Sequence, residues 1–271
     1  MSNQTHLVIG AGKMGGALLS GWIKSGAVKA PNLAIYDPRP GKAAQAAIKD
    51  GALHVKSLDV ELDDVEIVLL AIKPQMFSKL ESDLVHLVPV SALVISIMAG
   101  TSLKHLQTVF PSNPVLRAMP NTPAAIGAGI TAFTADGRVS KSHKKQAQGL
   151  LEAGGAVYEV ESEPLIDVVT AVSGSGPAYV FYMVEALEAA AIKAGLPANI
   201  APDFARQTII GAGALLNASP DQSAGDLRRA VTSPNGTTQA ALDVLMSEPG
   251  LPSLMRDAVK AALKRAKELA G

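Results

Sequence analysis

Three glycines near the start of the chain have the spacing of a loop that binds a dinucleotide. The segment Gly10-Ala11-Gly12-Lys13-Met14-Gly15 follows an apolar, strand-like run and leads into a helical pattern. In such a loop the first glycine permits a tight turn, the second lets the backbone approach a pyrophosphate, and the third lets helix and strand pack closely. The N–H groups at the helix N-terminus would face the phosphates. A plain glycine turn has the same composition, but the strand–loop–helix context favours the dinucleotide site.

An acid and a base follow the second predicted strand, where the ribose of a dinucleotide would lie. Asp37 stands about 20 residues beyond Gly15, the separation at which an acid usually bonds the ribose 2′-hydroxyl of NAD. Arg39 could instead hold the 2′-phosphate of NADP, or be a solvated turn residue. Because both residue types occur here, the choice of cofactor stays open, and we expect the chain to use both NADPH and NADH.

Two further segments stand at the carboxyl ends of predicted strands, where sheets of this kind bind ligands. The residues that we expect to line the cofactor there are Ala71, Lys73, Pro74, Ala99 and Gly100. Small residues and a proline allow a flat ring to lie against the backbone. The alternatives are ordinary turns after the strands and, for Lys73, a surface lysine.

The second half of the chain lacks the side chain most often used for proton transfer. None of the five histidines lies beyond His143, and no spacing typical of metal ligands is present. A hydride-transfer enzyme of this kind could use a lysine, a hydroxyl group or a water. It could also reduce a substrate that is already protonated, such as an iminium ion, for which orientation is the main requirement.

Two segments of the second half combine hydroxyl groups with glycine and are predicted to begin helices. They are Ser173–Tyr179 and Val231–Thr238. N–H groups and hydroxyls at the positive end of a helix suit a small carboxylate, although simple capping of the helix explains each hydroxyl by itself.

These residues must be positioned by two halves of different character. Short β-branched runs alternate with helical patterns in the first half, which indicates a doubly wound parallel sheet of Rossmann type. The second half is rich in alanine and indicates a helical bundle. We predict a dinucleotide-binding domain at 1–163 and a helical domain for dimerisation and substrate binding at 164–271. The predicted strands are His6–Ile9, Leu33–Tyr36, Glu66–Ile72, Leu93–Met98, Val115–Met119, Gly129–Thr134 and Ala156–Glu159. The predicted helices are Met14–Ser25, Lys42–Lys49, Gln75–Val88, Leu103–Val109, a stretch around Ser140–Glu152, and about 177–194, 198–217, 223–231, 237–247 and 252–269.

The composition excludes several classes of protein for this chain. The 271 residues carry 24 Lys plus Arg and 24 Asp plus Glu, so the charge pattern expected of a nucleic-acid binder is absent. No apolar run is long enough for a membrane span, and we expect neither nucleic acid nor membrane as a partner. Cysteine is absent, which excludes disulfides and thiolate metal sites and fits a cytoplasmic location. We expect no bound metal.

Together, five segments resemble pyrroline-5-carboxylate reductase across nearly the whole chain. They are Gly10–Gly15, Ala71–Gln75, Arg117–Pro123, Ser173–Tyr179 and Val231–Thr238. The resemblance implies a Rossmann domain followed by a helical dimerisation domain, in dimers that are often gathered into decamers. It also implies reduction of the cyclic imine 1-pyrroline-5-carboxylate to L-proline with NADPH or NADH, the last step of proline biosynthesis. The small helical half, with few aromatic residues, fits an obligate dimer because a partner subunit would cover its apolar faces.

The resemblance also implies roles for individual residues. Gly236, Thr237 and Thr238 would hold the substrate carboxylate, and Thr238 would bond the ring nitrogen as the catalytic hydroxyl. Ser175, the second catalytic candidate, and Pro177 would shape the pocket. Asn121 would lie near it, beside the nicotinamide.

Two residues depart from the family pattern. Asn235 stands where many members have glycine, although asparagine tolerates a left-handed conformation. Asp37 replaces the serine or asparagine often found at the ribose position, which argues against a strict preference for NADPH.

Two other functions would also use a dinucleotide-binding glycine loop. A β-hydroxyacid dehydrogenase shares the glycine loop but needs a helical lysine followed three or four positions later by asparagine, and no lysine beyond residue 160 has one. A non-catalytic dinucleotide sensor would not need the two polar segments of the second half.

Overall fold

Eight strands form one sheet in the computed structural model, which describes residues 5–270. The strands are β1 (His6–Ile9), β2 (Leu33–Tyr36), β3 (Leu53–Val55), β4 (Ile67–Leu70), β5 (Leu93–Ser96), β6 (Val115–Met119), β7 (Gly129–Ala135) and β8 (Gly155–Glu159). Their order across the sheet is β3-β2-β1-β4-β5-β6-β7-β8. The first six run parallel, whereas β7 pairs antiparallel with β6, and β8 pairs parallel with β7. The sheet is therefore doubly wound with a reversed edge.

Helices connect most of the strands, and helices also form most of the chain after β8. Those that accompany the sheet are α1 (Lys13–Ser25), α2 (Lys42–Lys49), α3 (Pro74–Leu87), α4 (Leu103–Val109), α5 (Lys141–Leu151) and α6 (Glu163–Val169). Those that follow are α7 (Gly176–Lys193), α8 (Ala201–Ala218), α9 (Ala224–Ala230), α10 (Thr237–Leu245) and α11 (Leu251–Ala270). Short 3-10 turns span Ala30–Asn32, Thr122–Ile126 and Glu152–Gly154, and a π-helical turn spans Thr170–Gly174.

The predicted fold class is confirmed, with two omissions and one change of direction. The short strand β3 and the helix α6 were not predicted. The strands β7 and β8 finish the sheet as expected but run against the other six. The connection from β6 to β7 is too short for the helical crossover that a parallel pair requires, so β7 must return antiparallel.

The alternation of side chains along the strands divides the core between the two faces of the sheet. Val8, Ile35 and Leu69 pack on one face with Trp22 of α1. Leu7 and its neighbours pack on the other face with α3 and α4. Because both faces are covered, the central strands read as continuous apolar runs, and this is the pattern that makes them recognisable in the sequence.

The packing divides the chain into two compact units. The first contains the described residues up to Ser175 together with residues from 262 onward, and the second contains 176–261. The boundary predicted at 163/164 coincides with the start of α6. By contact the division falls after Ser175, because Ile166 of α6 is buried against Met119 and Ala132 of the sheet.

The second unit buries few of its side chains in the single chain. Helices α7, α9 and α10 contain no buried residue. Phe181 is 62% exposed and Val244 is 71% exposed. Within residues 5–270, no helix combines the length and the apolar character that a membrane crossing demands.

Candidate functional site

The glycine loop joins β1 to α1 at the centre of the sheet. Gly10 has a φ of 89°, and a Cβ there would lie 2.6 Å from Ile72 Cγ2 and 2.9 Å from the carbonyl oxygen of Ala71. A Cβ on Gly15 would lie 2.2 Å from the carbonyl oxygen of Gly10 and 2.9 Å from the Cβ of Ala71. Gly10, Gly15 and Ala71 therefore meet at one crossing, which only small residues can occupy.

The middle glycine faces open space instead. Gly12 precedes the first helical residue with φ −68° and ψ −153°, and a Cβ there would meet no described atom within 4 Å. Lys13 begins α1 and is exposed, whereas Met14 packs against the core. The first N–H groups of a helix have no acceptor within it, so this end of α1 presents donors next to an unobstructed backbone.

Asp37 is held against the glycine loop. Its Oδ2 accepts a hydrogen bond from the backbone N–H of Ala11 at 2.8 Å, and its Oδ1 accepts one from the N–H of Arg39 at 2.8 Å. Each carboxylate oxygen therefore has a backbone donor, and the negative charge is directed toward the loop.

An open cleft of about 480 Å³ lies between the start of α1 and the start of α2. Its lining includes Gly12 and three cationic residues, Lys13, Arg39 and Lys42, but not Asp37. The sequence prediction missed Lys42. A lysine at the first position of a helix faces the positive end of the helix dipole, and that unfavourable placement was the available signal.

The residues after β4 and β5 occupy different surroundings. Lys73 is exposed immediately before α3, and Pro74 is the first residue of that helix. Ala99 is exposed, and Gly100 has a φ of 70°. A Cβ on Gly100 would lie 2.7 Å from the carbonyl oxygen of Leu269, so the close neighbour of this glycine in the single chain is the end of α11.

Asn121 follows β6 and is almost fully buried. Its side-chain carbonyl accepts a hydrogen bond from the N–H of Ile130 at 2.9 Å, which closes the connection between β6 and β7. The predicted substrate residue thus has a structural contact that fixes its orientation.

The first hydroxyl-rich segment leads into a helix as predicted, since α7 begins at Gly176, but its first residues belong to a different turn. Residues 170–174 form a π-helical turn that continues from α6. The N–H of Ser175 donates to the carbonyl of Thr170 at 2.9 Å, and its hydroxyl donates to the same oxygen at 3.1 Å. The N–H of Ser175 is therefore not free for a carboxylate. Pro177 is the second residue of α7.

The second hydroxyl-rich segment does begin a helix. Asn235 adopts the left-handed conformation expected of it, with φ 61°. Gly236 caps α10, and a Cβ there would lie 2.7 Å from the hydroxyl of Ser233. Thr237 and Thr238 form the first turn, and both are exposed.

The structure thus groups the candidates by unit. The first unit brings the glycine loop, Asp37, Arg39 and Ala71 together, and it also contains Asn121 and Ser175. The second unit contains Pro177 and the residues 236–238. Across residues 5–270, no three His, Cys, Asp or Glu side chains gather in a metal-binding arrangement.

Two family models match different parts of the chain. Residues 163–269 match the family model for pyrroline-5-carboxylate reductase dimerisation. Residues 7–100 match the model described as NADP oxidoreductase, coenzyme F420-dependent.

Relatives match over the whole length. A pyrroline-5-carboxylate reductase of Synechocystis sp. is 39% identical, with 97% of each chain covered. The solved pyrroline-5-carboxylate reductase of Coxiella burnetii has a TM-score of 0.89 at 32% identity, with 99% of each chain covered. That of Plasmodium falciparum, solved with NADP bound, has a TM-score of 0.81 at 29% identity over the full length of both chains. This similarity extends through the glycine loop, the sheet and the helical half alike, and the chain belongs to the pyrroline-5-carboxylate reductase family.

Proposed function

We propose that this protein reduces the cyclic imine 1-pyrroline-5-carboxylate to L-proline with NADPH or NADH, the final step of proline biosynthesis. The observation that carries the proposal is the glycine loop of this family member: Gly10 and Gly15 have no room for a side chain, whereas Gly12 stands open. That combination fits a dinucleotide, because a pyrophosphate must approach the backbone at the middle glycine.

The reaction requires little from the protein in proton transfer. The carbon of the C=N bond gains a hydride, the π electron pair moves to the nitrogen, and an iminium ion already carries the proton that the product amine retains. Bound NADPH or NADH would supply the hydride. The residues of this chain then have two tasks, which are to hold the substrate carboxylate and to align the ring.

The first unit would hold the cofactor. Gly10 to Gly15 would bind the pyrophosphate through backbone N–H groups at the start of α1. Ala71, Lys73 and Pro74 after β4, with Ala99 and Gly100 after β5, are proposed to lie along the nicotinamide half. For Gly100 this requires the contact with Leu269 to leave one face of the glycine accessible.

Charged side chains would recognise the adenosine half of the cofactor. Arg39, with Lys13 and Lys42 in the same cleft, favours a 2′-phosphate. Asp37 does not line the cleft, and its oxygens accept backbone N–H groups, which reduces its repulsion of a phosphate. A carboxylate oxygen has a second lone pair, which would remain for a ribose hydroxyl. We therefore propose that both NADPH and NADH are used.

The substrate would be bound by the polar residues of the helical half. Gly236 precedes α10, and its own N–H donates to the carbonyl of Ser233 at 3.0 Å. The exposed residues Thr237 and Thr238 begin the helix, where its positive end favours a carboxylate, so Gly236 would contribute by leaving room beside them. Thr238 would bond the ring nitrogen as the catalytic hydroxyl. Ser175, the second catalytic candidate, donates its hydroxyl hydrogen to Thr170, so it would face the substrate as a hydrogen-bond acceptor. Ser175 and Pro177 would shape the pocket, with Asn121 near it.

We also propose that the protein is a homodimer formed through the helical half. The exposed side chains of Phe181, Phe204 and Val244 support a dimer, since one chain leaves these large apolar groups in water. We propose further that 1–163 and 164–271 are the two functional domains and that the protein is cytoplasmic. Sedimentation at several concentrations checks the assembly: a mass of two chains is expected, ten would show the family's larger assembly, and one chain would contradict the proposal.

A coupled assay tests the reaction. Purified protein, 1-pyrroline-5-carboxylate and NADPH or NADH should give proline with loss of absorbance of the reduced nicotinamide. A 3-hydroxy acid with the oxidised cofactors is the comparison substrate and should give no turnover. Folded protein that reduces the imine with neither cofactor would refute the proposal.

A further inference from the structure

A buried arginine in the first unit has no part in the roles proposed so far. Arg117 lies in β6 and is 2% exposed. Its Nη1 donates to Glu163 Oε1 at 2.8 Å, and its Nη2 donates to Asp167 Oδ1 at 3.0 Å. Within the described chain, its Nε has no hydrogen-bond partner. A charge removed from water in this way is tolerated only because it is paired, so the ion pairs define where the two acids can lie.

Both acids belong to α6, so the arginine fixes that helix on the sheet. Glu163 is its first residue, and Asp167 stands one turn later on the same side. The Oε1 of Glu163 also accepts a hydrogen bond from the N–H of Leu103 at 2.7 Å, at the start of α4. One carboxylate thereby connects three elements, and the guanidinium is the shared partner of both acids.

The π-helical turn after α6 takes its hydrogen bonds from that helix. The hydroxyl of Thr170 donates to the carbonyl of Ile166 at 2.7 Å, and that of Ser173 donates to Val169 at 3.1 Å. Ser175 in turn bonds the carbonyl of Thr170. The position of Ser175 therefore depends on the position of α6.

The strand that carries Arg117 also leads to the other substrate residue of this unit. Strand β6 ends at Met119, and Asn121 follows, held by Ile130. Arg117 thus connects the strand that leads to Asn121 with the helix on which the position of Ser175 depends.

We propose that Arg117 is a positioning residue of the substrate site: its paired contacts with Glu163 and Asp167 set Ser175 relative to Asn121. The inference rests on the proposed function for the identity of the substrate. The planar guanidinium reaches two separate carboxylates at once with directed bonds, which a single ammonium group does not reproduce. Arg117→Lys therefore keeps the charge and removes the geometry.

The experiment compares the kinetic constants of Arg117→Lys for the two substrates. We expect the KM for 1-pyrroline-5-carboxylate to rise and its kcat/KM to fall roughly tenfold or more, because small misplacements of binding groups cost this much. We expect the KM for NADPH to stay within about twofold, since the glycine loop lies on other elements. A purely structural role would lower the active fraction and leave both KM values as they are.

The matched control is Arg138→Lys. Arg138 also pairs with a buried acid of the first unit, Asp136, at 2.7 Å, but it lies at the far end of β7 from Ile130. Its replacement should leave both KM values unchanged. Asp167→Asn removes one carboxylate charge and leaves the pair of Arg117 with Glu163 in place. It should lower kcat/KM for the imine by a smaller factor than Arg117→Lys does. This variant tests the proposal if Arg117→Lys does not fold.

Hydrogen exchange separates this inference from the assignment of the substrate. In Arg117→Lys the amides of 170–175 should exchange faster, those of 10–16 should not, and Arg138→Lys should change neither. If the wild-type protein fails to reduce the imine, the proposed function fails, and the exchange pattern alone decides the positioning role. Unchanged exchange at 170–175, or equal changes in both KM values, would overturn it.

Discussion

The backbone N–H of Ala11 donates a hydrogen bond to the Oδ2 of Asp37 at 2.8 Å. This bond connects the glycine loop after β1 to the end of β2, and the carboxylate is oriented toward the loop. Asp37, which the sequence predicts to bind a ribose, therefore also holds that loop in place. Arg39, whose N–H bonds the other oxygen, is left with its side chain lining the cationic cleft.

Replacement of Arg39 by alanine should therefore change the use of the phosphorylated cofactor. We expect the KM for NADPH to rise roughly tenfold, as for the loss of one charge-assisted hydrogen bond, and that for NADH to stay within about twofold. Steady-state kinetics with both cofactors measure the difference. Lys49→Ala, at the opposite end of α2, is the control for a lost surface charge. Equal increases for both cofactors would show that Arg39 does not contact the phosphate.

Two glycines of the loop should respond to alanine in different ways. In Gly15→Ala the new Cβ would meet the carbonyl oxygen of Gly10 at 2.2 Å, so we expect a loss of roughly 1–3 kcal/mol and a lower Tm. In Gly12→Ala the Cβ meets nothing, so Tm should be unchanged while the Kd for NADPH rises tenfold or more.

Calorimetry and titration of NADPH fluorescence distinguish these effects. Gly12→Ala protein that binds NADPH as tightly as the wild type would show that no phosphate approaches this backbone position. A wild-type Tm for Gly15→Ala would mean that the crossing with Ala71 can relax.

Loss of the Thr238 hydroxyl should affect the imine and not the cofactor. We expect Thr238→Ala to lower kcat/KM for 1-pyrroline-5-carboxylate by roughly one to two orders of magnitude, as for one positioned hydrogen bond. The KM for NADPH should not change. Thr208→Ala is the control, because Thr208 is an exposed threonine of the same unit whose hydroxyl bonds its own helix at Phe204. An unaltered rate for Thr238→Ala would remove this residue from the site.

His6 should make the stability of the first unit depend on pH. Burial lowers the pKa of His6 from 6.5 to about 4. Between these values the unfolded chain binds a proton that the folded protein does not, so stability is complete above pH 6.5 and falls as the pH decreases toward 4. The loss attributable to this ring is about 3 kcal/mol.

Denaturant unfolding at fixed protein concentration measures this dependence. In His6→Gln the contribution is absent, so the difference in the free energy of unfolding between the wild type and the variant should change between pH 7 and pH 4. It should be constant above pH 7. A constant difference over the whole range would show that the ring titrates alike in both states.

The parts of the fold that the sequence predicted are those with strong local signals. The apolar run from Leu7 to Ile9 and the glycines after it define β1, the loop and α1 by themselves. Strand β3 was missed because it has three residues at the edge of the sheet, with Leu53 exposed, so neither alternation nor a continuous apolar run marks it. Helix α6 was missed because its Val and Ile residues are common in strands, and only their burial against β6 and β7 decides the helix.

For the candidate site, the sequence by itself determined which residues are candidates for binding a dinucleotide and a carboxylate, since glycine, arginine and threonine keep their chemistry in any fold. Only the tertiary structure decided where Asp37 directs its charge, that Lys42 joins Arg39 in the cleft, and that Leu269 covers Gly100. It also decided that Ser175 ends a π-helical turn, and that Arg117 meets Glu163 and Asp167. The physical reason is clearest for the bond of Asp37 to Ala11, the approach of Leu269 to Gly100 and the ion pairs of Arg117. These contacts join residues far apart in the chain, and they depend on distances that no local pattern records.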